Sequence, residues 1–215
     1  MSRKFRLTRL ELKRQRDALE RYERYLPMLK LKQQQLQIAL RAIQAERDKA
    51  REALAEAEAV FAAYEAVLAA PAGLDVRALA RPTEVRTARV NIAGLEVPVF
   101  EDATFAAAEY SLFGTPLWVD RALIDLRAIN RCRAELDILD RRDELVRAEL
   151  TRIIQRVNLF EKVKIPAARE AIRMIRIALG DEQTAAVVRA KIAKIKLEAV
   201  EHAGREAPAA QEAAP

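Results

Sequence analysis

Residues 12–68 read LKRQRDALERYERYLPMLKLKQQQLQIALRAIQAERDKAREALAEAEAVFAAYEAVL, a stretch with no glycine and one proline, Pro27. Counting every seventh residue from Leu12 gives Leu12, Leu19, Leu26, Gln33, Leu40, Arg47, Leu54, Phe61 and Leu68, apolar at seven of nine places. Three residues further on the count gives Gln15, Tyr22, Leu29, Leu36, Ile43, Ala50, Ala57 and Tyr64, apolar at seven of eight. An a/d seam kept over eight heptads predicts a left-handed coiled coil.

A second window repeats the pattern with Ile129, Cys132, Leu136, Leu139, Asp143, Val146, Leu150, Ile153, Val157 and Phe160. Its start is marked by Thr115 as a candidate N-cap, Pro116 at the first helical position, and Asp120 and Asp125 towards the positive end of the dipole. After Pro166 the apolar set moves to Ile172, Ile175 and Leu179, one residue off register, as a stutter or kink requires. The five glycines (Gly73, Gly94, Gly114, Gly180, Gly204) all lie outside 5–69 and 115–179. Each window corresponds to a helix roughly 85–95 Å long. Neither buries its seam alone, so the two are expected to pair antiparallel, termini at one end and the middle region at the other.

That middle region differs in kind. Residues 71–83 hold Pro71, Gly73 and Pro82 and read as a loop with at most one turn of helix. From Glu84 to Phe100 two β-branched runs flank Asn91–Gly94, which reads as a β-hairpin, and Pro98 confines its strand to an edge. The fold class expected is therefore mainly α: a long antiparallel two-helix coiled coil with a short, hairpin-containing middle. Its parts are an N-terminal helix over 1–69, a middle over 70–117 with the hairpin at about 84–101, a C-terminal helix over 118–200 with a break near Gly180, and a disordered Ala/Pro/Glu tail over 201–215.

Composition agrees with this reading. Ala (42), Lys+Arg (38), Leu (25) and Glu (22) dominate the 215 residues, while aromatics are 5%; such bias marks long helices rather than an ordinary globule. The net charge of +6 is concentrated. Arg3, Lys4, Arg6, Arg9, Lys13, Arg14 and Arg16 crowd the start, and Arg189, Lys191, Lys194 and Lys196 lie near the other end. These clusters read either as solvated helix faces or as a basic end that meets an acidic or phosphate-bearing partner. The aromatics are not interleaved with them to stack on bases, so nucleic acid is not an expected partner. No apolar run approaches a membrane span, and direct insertion is not expected.

Catalytic chemistry is not legible. The glycines are too sparse for a phosphate loop, and the single histidine, His202, supports neither a triad nor a metal cluster. Cys132 falls on the seam, where a small buried thiol outweighs a nucleophile. No catalytic residue, metal or cofactor is expected, and the single cysteine suits a reducing cytoplasm. One charged pair is expected inside the seam: Arg47 occupies an a position, and an antiparallel register pairing 68 with 120 sets it opposite Asp143. The same register puts Pro27 and Pro166 at nearly one level as kinks.

Three stretches together resemble the D subunit of the V-type and A-type rotary ATPases. They are Leu7-Thr8-Arg9-Leu10-Glu11-Leu12-Lys13-Arg14 with Leu29-Lys30-Leu31-Lys32, then Val90-Asn91-Ile92-Ala93-Gly94-Leu95-Glu96-Val97-Pro98, and Arg156-Val157-Asn158-Leu159-Phe160-Glu161-Lys162-Val163-Lys164-Ile165-Pro166. The resemblance covers about residues 5–200. It implies a non-catalytic central-stalk rotor in the cytoplasm, peripheral to the membrane, whose helical pair enters a hexamer of catalytic and nucleotide-binding subunits by its basic, termini-bearing end. It further implies the small F subunit and a socket subunit as partners, the latter linking to the proton- or sodium-translocating ring, with torque rather than chemistry as the chain's contribution. The middle region holds about 48 residues (70–117), too few for the large inter-helix domain of the F-type shaft. A coiled-coil stalk or adaptor of another assembly, such as an export apparatus, would share the heptads without needing the hairpin.

Overall fold

The computed structural model describes residues 6–64, 66, 73–111 and 114–211, of which 201–211 are described by backbone alone. In chain order the elements are α1 (Arg9–Ala62), α2 (Val76–Leu79), β1 (Pro82–Ile92), β2 (Leu95–Phe105), α3 (Trp118–Asn158), a π-helical segment (Leu159–Lys164) and α4 (Ile165–Gln211). The protein is mainly α, with long helices and, among the described residues, one antiparallel hairpin between them. Two compact units divide it, one of Met28–Val157 and one of Met1–Pro27 with Asn158–Pro215.

In the Met28–Val157 unit the seam closes as the heptads require. Leu36, Ile43 and Ala50, one per heptad of α1, are buried, as are Leu139, Val146 and Ile153 of α3 at the same spacing. The helices run antiparallel, since Glu58 meets Arg133 at 2.6 Å, Glu46 meets Arg142 at 2.9 Å and Lys32 meets Glu149 at 3.0 Å.

The hairpin does not lie beyond the far end of this pair, where the sequence reading set the middle region. It folds back along the helices. Arg127 of α3 donates to the carbonyls of Ala106 (2.7 Å) and Leu79 (3.3 Å) and stacks over the Phe105 ring, and Arg131 pairs with Asp102. At the turn, a Cβ built on Gly94 would stand 4.0 Å from Lys32 Nζ of α1. The physical reason is that an isolated two-stranded sheet is marginal in water. β2 therefore buries Val97 and Ala103, while β1 stays largely exposed. The strands extend over Pro82–Phe105, past the expected 84–101, with register shifts after Pro82 and Arg86. Below them a small core of Val76, Ala80, Val119, Ala122 and Leu123 seats the single turn of α2, and Asn130 Nδ2 holds the Ala80 carbonyl at 2.7 Å.

Pairing of Ile92 with Leu95 leaves a two-residue turn, Ala93 (φ 52°) and Gly94 (φ 82°), with the Gly94 amide donating to Asn91 Oδ1 at 2.8 Å. Two positive φ values define the primed turn that matches strand twist. Gly94→Ala is expected to cost about 1–2 kcal/mol through left-handed strain alone, because no atom crowds the added methyl. Ala93→Gly relieves the same strain and should raise the urea midpoint. Equal midpoints for all three chains would contradict this account.

The other unit holds the first part of α1, Arg9 to Pro27 and about five turns, together with the π-helical segment and α4. Thr8 caps α1, its Oγ1 accepting from the Glu11 amide at 3.3 Å, so Thr8-x-x-Glu11 is the helix-start signal that sequence counting passed over. Tyr22 packs on Phe160 at 5.3 Å, Glu23 pairs with Arg169 at 2.8 Å, and Ile165, Ala168, Ala171, Ile172 and Ile175 are buried. α1 runs unbroken through Pro27. Pro166 lies in the first turn of α4, directly after the π-helical segment, where the Ile165 amide reaches back five residues to the Phe160 carbonyl.

Several boundaries differ from those expected. α1 ends at Ala62 rather than near 69, and residues 65 and 67–70 lie outside the described residues. α3 begins at Trp118; Thr115 does not cap it but turns its hydroxyl back to the Ser111 carbonyl at 2.9 Å. No break occurs at Gly180, where α4 continues. One interior glycine costs only about 1 kcal/mol, and its helix-forming neighbours outweigh that. The helix also enters the stretch expected to be disordered and extends to Gln211, carried by alanine and glutamate, the remaining 212–215 lying outside the described residues.

Candidate functional site

The chemically distinctive feature of the Met28–Val157 unit is charge inside its seam. Arg47, at an a position, is largely buried, and Asp143 of α3 is 5% exposed. Arg47 Nη1 lies 3.4 Å from Asp143 Oδ2, and Arg47 Nη2 lies 2.5 Å from Asp140 Oδ1. The second contact is close but misaligned for a hydrogen bond, so its attraction is Coulombic. Arg147, one turn along α3, donates to Asp143 Oδ2 at 2.5 Å. Asp140 is the partner that heptad counting missed; it sits one turn before Asp143, within reach of a long guanidinium that points along the groove. Arg47 Nε and Asp143 Oδ1 have no hydrogen-bond partner among the described residues. Half-satisfied buried networks contribute little net stability, which bears on the role of this one.

Besides Glu58–Arg133 and Glu46–Arg142, two further polar contacts join the same helices. Lys32 meets Glu149, which Arg152 also approaches at 3.7 Å. Tyr64 donates to Asp125 Oδ2 at 2.5 Å, and Arg121 pairs with the same oxygen at 2.9 Å. Burial, reinforced by the Asp125 hydrogen bond, pushes the Tyr64 phenol up to about 12 from its ordinary 10.0. A phenol with a raised folded-state pKa binds its proton more tightly in the fold than in the unfolded chain. Its contribution is whole below pH 10 and is lost as the pH climbs from 10 towards 12. Stability is therefore expected to fall across that window more steeply in this chain than in Tyr64→Phe, as read from urea midpoints at each pH. Parallel slopes would refute it.

The basic clusters lie in the other unit. Arg6, Arg9, Lys13, Arg14 and Arg16 are exposed, Arg14 reaching Glu11 only at 3.9 Å, while Arg3 and Lys4 lie outside the described residues. Arg189 turns to the Ala185 carbonyl at 3.2 Å, Lys194 approaches Glu198 at 3.7 Å, and Lys191 and Lys196 are exposed. Every residue from Gly180 to Val200 is exposed. Cys132 is half-buried rather than fully so, and desolvation pushes its thiol up, away from the nucleophilic thiolate. Among the described residues no cluster of His, Cys, Asp and Glu converges to hold a metal ion, and no helix is long and apolar enough to cross a membrane.

Paired helices cross-linked by charge, with a hairpin laid on their flank, define a coiled-coil helical-hairpin protein whose distinctive chemistry is structural. Over residues 11–195 the sequence matches the family model of the ATP synthase D subunit. The V-type ATP synthase D subunit of Borreliella burgdorferi is 36% identical over 201 residues, covering 90% of this chain and 95% of the relative. The proteins of the same name from Chlamydia felis and Chlamydia caviae are each 32% identical, covering 92% of this chain and 96% of the relative. The chain belongs to the D-subunit family of ATP synthases.

Proposed function

We propose that this chain is the central-stalk rotor of a V/A-type rotary ATP synthase, carrying torque between an ATP-handling hexamer and an ion-translocating ring in the membrane. The observation that carries the proposal is family membership over nearly the whole chain, 11–195. The physics of the seam supports it. A torque shaft needs helices that neither part nor slide, and buried leucine, isoleucine and valine at heptad spacing supply the first requirement. In this reading the basic residues Arg6 to Arg16 and Arg189 to Lys196 line the end that enters the hexamer, opposite acidic groups of its inner wall. The small F subunit and a socket subunit hold the rest, the socket joining the chain to the ring. The chain itself performs no chemistry, and it meets the membrane only through the complex.

The test is reconstitution. Purified chain should capture the catalytic and nucleotide-binding subunits, and the complex assembled without it should lose ion-coupled turnover. Partner-free chain should bind no ATP by calorimetry. Stoichiometric ATP binding, or failure to capture any component of the hexamer, overturns the rotor reading.

A further inference from the structure

We infer that the seam of the Met28–Val157 unit carries a three-rung register lock, built so that sliding the helices by one heptad in either direction breaks every rung at once. The inference concerns this chain's own pairing and does not depend on the rotor reading.

A heptad seam is degenerate. Shifting α1 against α3 by seven residues returns apolar positions to apolar positions, so leucines alone leave register weakly specified. The polar contacts remove that degeneracy. At the first rung Lys32 meets Glu149 at 3.0 Å; a one-heptad slip puts Arg142 or Arg156 in the place of Glu149. At the second rung Arg47 lies between Asp140 and Asp143. The slip replaces Asp140 with Arg133 or Arg147, and Asp143 with Leu136 or Leu150. At the third rung Tyr64 meets Asp125 at 2.5 Å, and the slip offers it Trp118 or Cys132 instead. Seen from α3, the buried Asp143 would lose Arg47 to Leu40 or Leu54.

Each slip thus exchanges acid for arginine opposite a cation at two rungs, and sets the buried Asp143 carboxylate against leucine with Arg147 of its own helix left beside it. Like-charge contacts and desolvated lone charges are the two penalties that specify pairing. At these three rungs α1 contributes the donor and α3 the acid, whereas the Glu58–Arg133 and Glu46–Arg142 pairs run the other way. Because the second rung leaves Arg47 Nε and Asp143 Oδ1 unbonded, it gives up stability that an apolar pair would provide. That is the expected mark of a group retained for specificity.

The experiment places nitroxide labels at the exposed positions Arg41 and Asp137 of the full chain, with Cys132→Ser, and measures their distance distribution by pulsed electron resonance. The parent and each single-rung variant (Lys32→Leu/Glu149→Leu, Arg47→Leu/Asp143→Leu, Tyr64→Phe/Asp125→Leu) should give one common distance. The chain lacking all three rungs should keep its helix content and melting point yet show a second population displaced by up to about 10 Å, the axial length of seven residues. A folded three-rung variant with the parent distance alone overturns the lock. Should that variant lose its helices, the chain retaining only Lys32–Glu149 takes its place, because this part-buried pair is then the one rung left and molar salt weakens it. Salt should then bring out the displaced population, and an unchanged distance under salt overturns the proposal equally.

Discussion

Truncation of Leu36 or of Ile43 to alanine is expected to lower the stability of the chain by about 2–5 kcal/mol each, among the largest effects of any single apolar change. Both side chains are fully buried at successive heptads of α1. The loss has two parts, the transfer free energy of the deleted carbons and the void they leave between two helices that cannot collapse around it. The residues stand about 10 Å apart along α1, so the double variant should show the sum of the two losses. Ile38, 68% exposed on the same helix, is the control, and Ile38→Ala should stay within about 0.5 kcal/mol of the parent. Urea unfolding followed by circular dichroism measures all four chains. A loss at Ile38 comparable with that at Leu36 would mean that the buried seam is not where the stability resides.

The second large effect concerns Arg47 and Asp143, and its sign pattern matters more than its size. Removing one member of a buried ion pair generally costs about 3–5 kcal/mol. Arg47→Leu should cost somewhat less, about 2–3 kcal/mol, because Arg147 still neutralises Asp143 and Asp140 is partly exposed. Asp143→Leu should behave similarly, leaving Arg47 with Asp140 alone. Replacing both with leucine extends the apolar seam and should return the stability to within about 1 kcal/mol of the parent, or above it. The double-mutant cycle then yields a coupling of at least about 2 kcal/mol. Simple additivity would mean that Arg47 keeps its charge in solvent and only its stem in the seam.

How much of this was readable in advance follows the range of the interactions. The helices, the antiparallel hairpin and the placing of Arg47 opposite Asp143 come from counting by seven and by two, because the seam and the turn are periodic or local. Asp140 escaped because its reach to Arg47 depends on a rotamer, not on heptad position. Thr8 was legible through Thr8-x-x-Glu11, yet the seam begins at Leu12 and drew the count past it. The break expected near Gly180 does not occur: the residues after it supply neither a left-handed cap nor an early proline, so α4 simply continues. The folding of the hairpin onto the helices was not legible at all. It rests on Arg127, Arg131 and Asn130, three polar residues of α3 that look like solvated surface until Leu79, Ala80, Asp102 and Ala106 are brought to them.

The π-helical segment accounts for the one-residue jump in the apolar pattern. Heptad counting from Ile153 and Val157 would continue through Lys164, Ala167 and Ala171, whereas the buried set is Ile165, Ala168, Ala171, Ile172 and Ile175, in which only Ala171 keeps the earlier count. A π turn takes one residue more than the α turn it replaces, so the surplus is spent inside Leu159–Lys164 and the count resumes one place later. In the language of heredity, this is how a long seamed helix tolerates a single-codon insertion. Without the wide turn, one added residue would rotate everything downstream by about 100° and carry the buried face of α4 into water. With it, the extra residue remains as a local bulge, and a long seamed helix can change length by one without unlearning which side faces in.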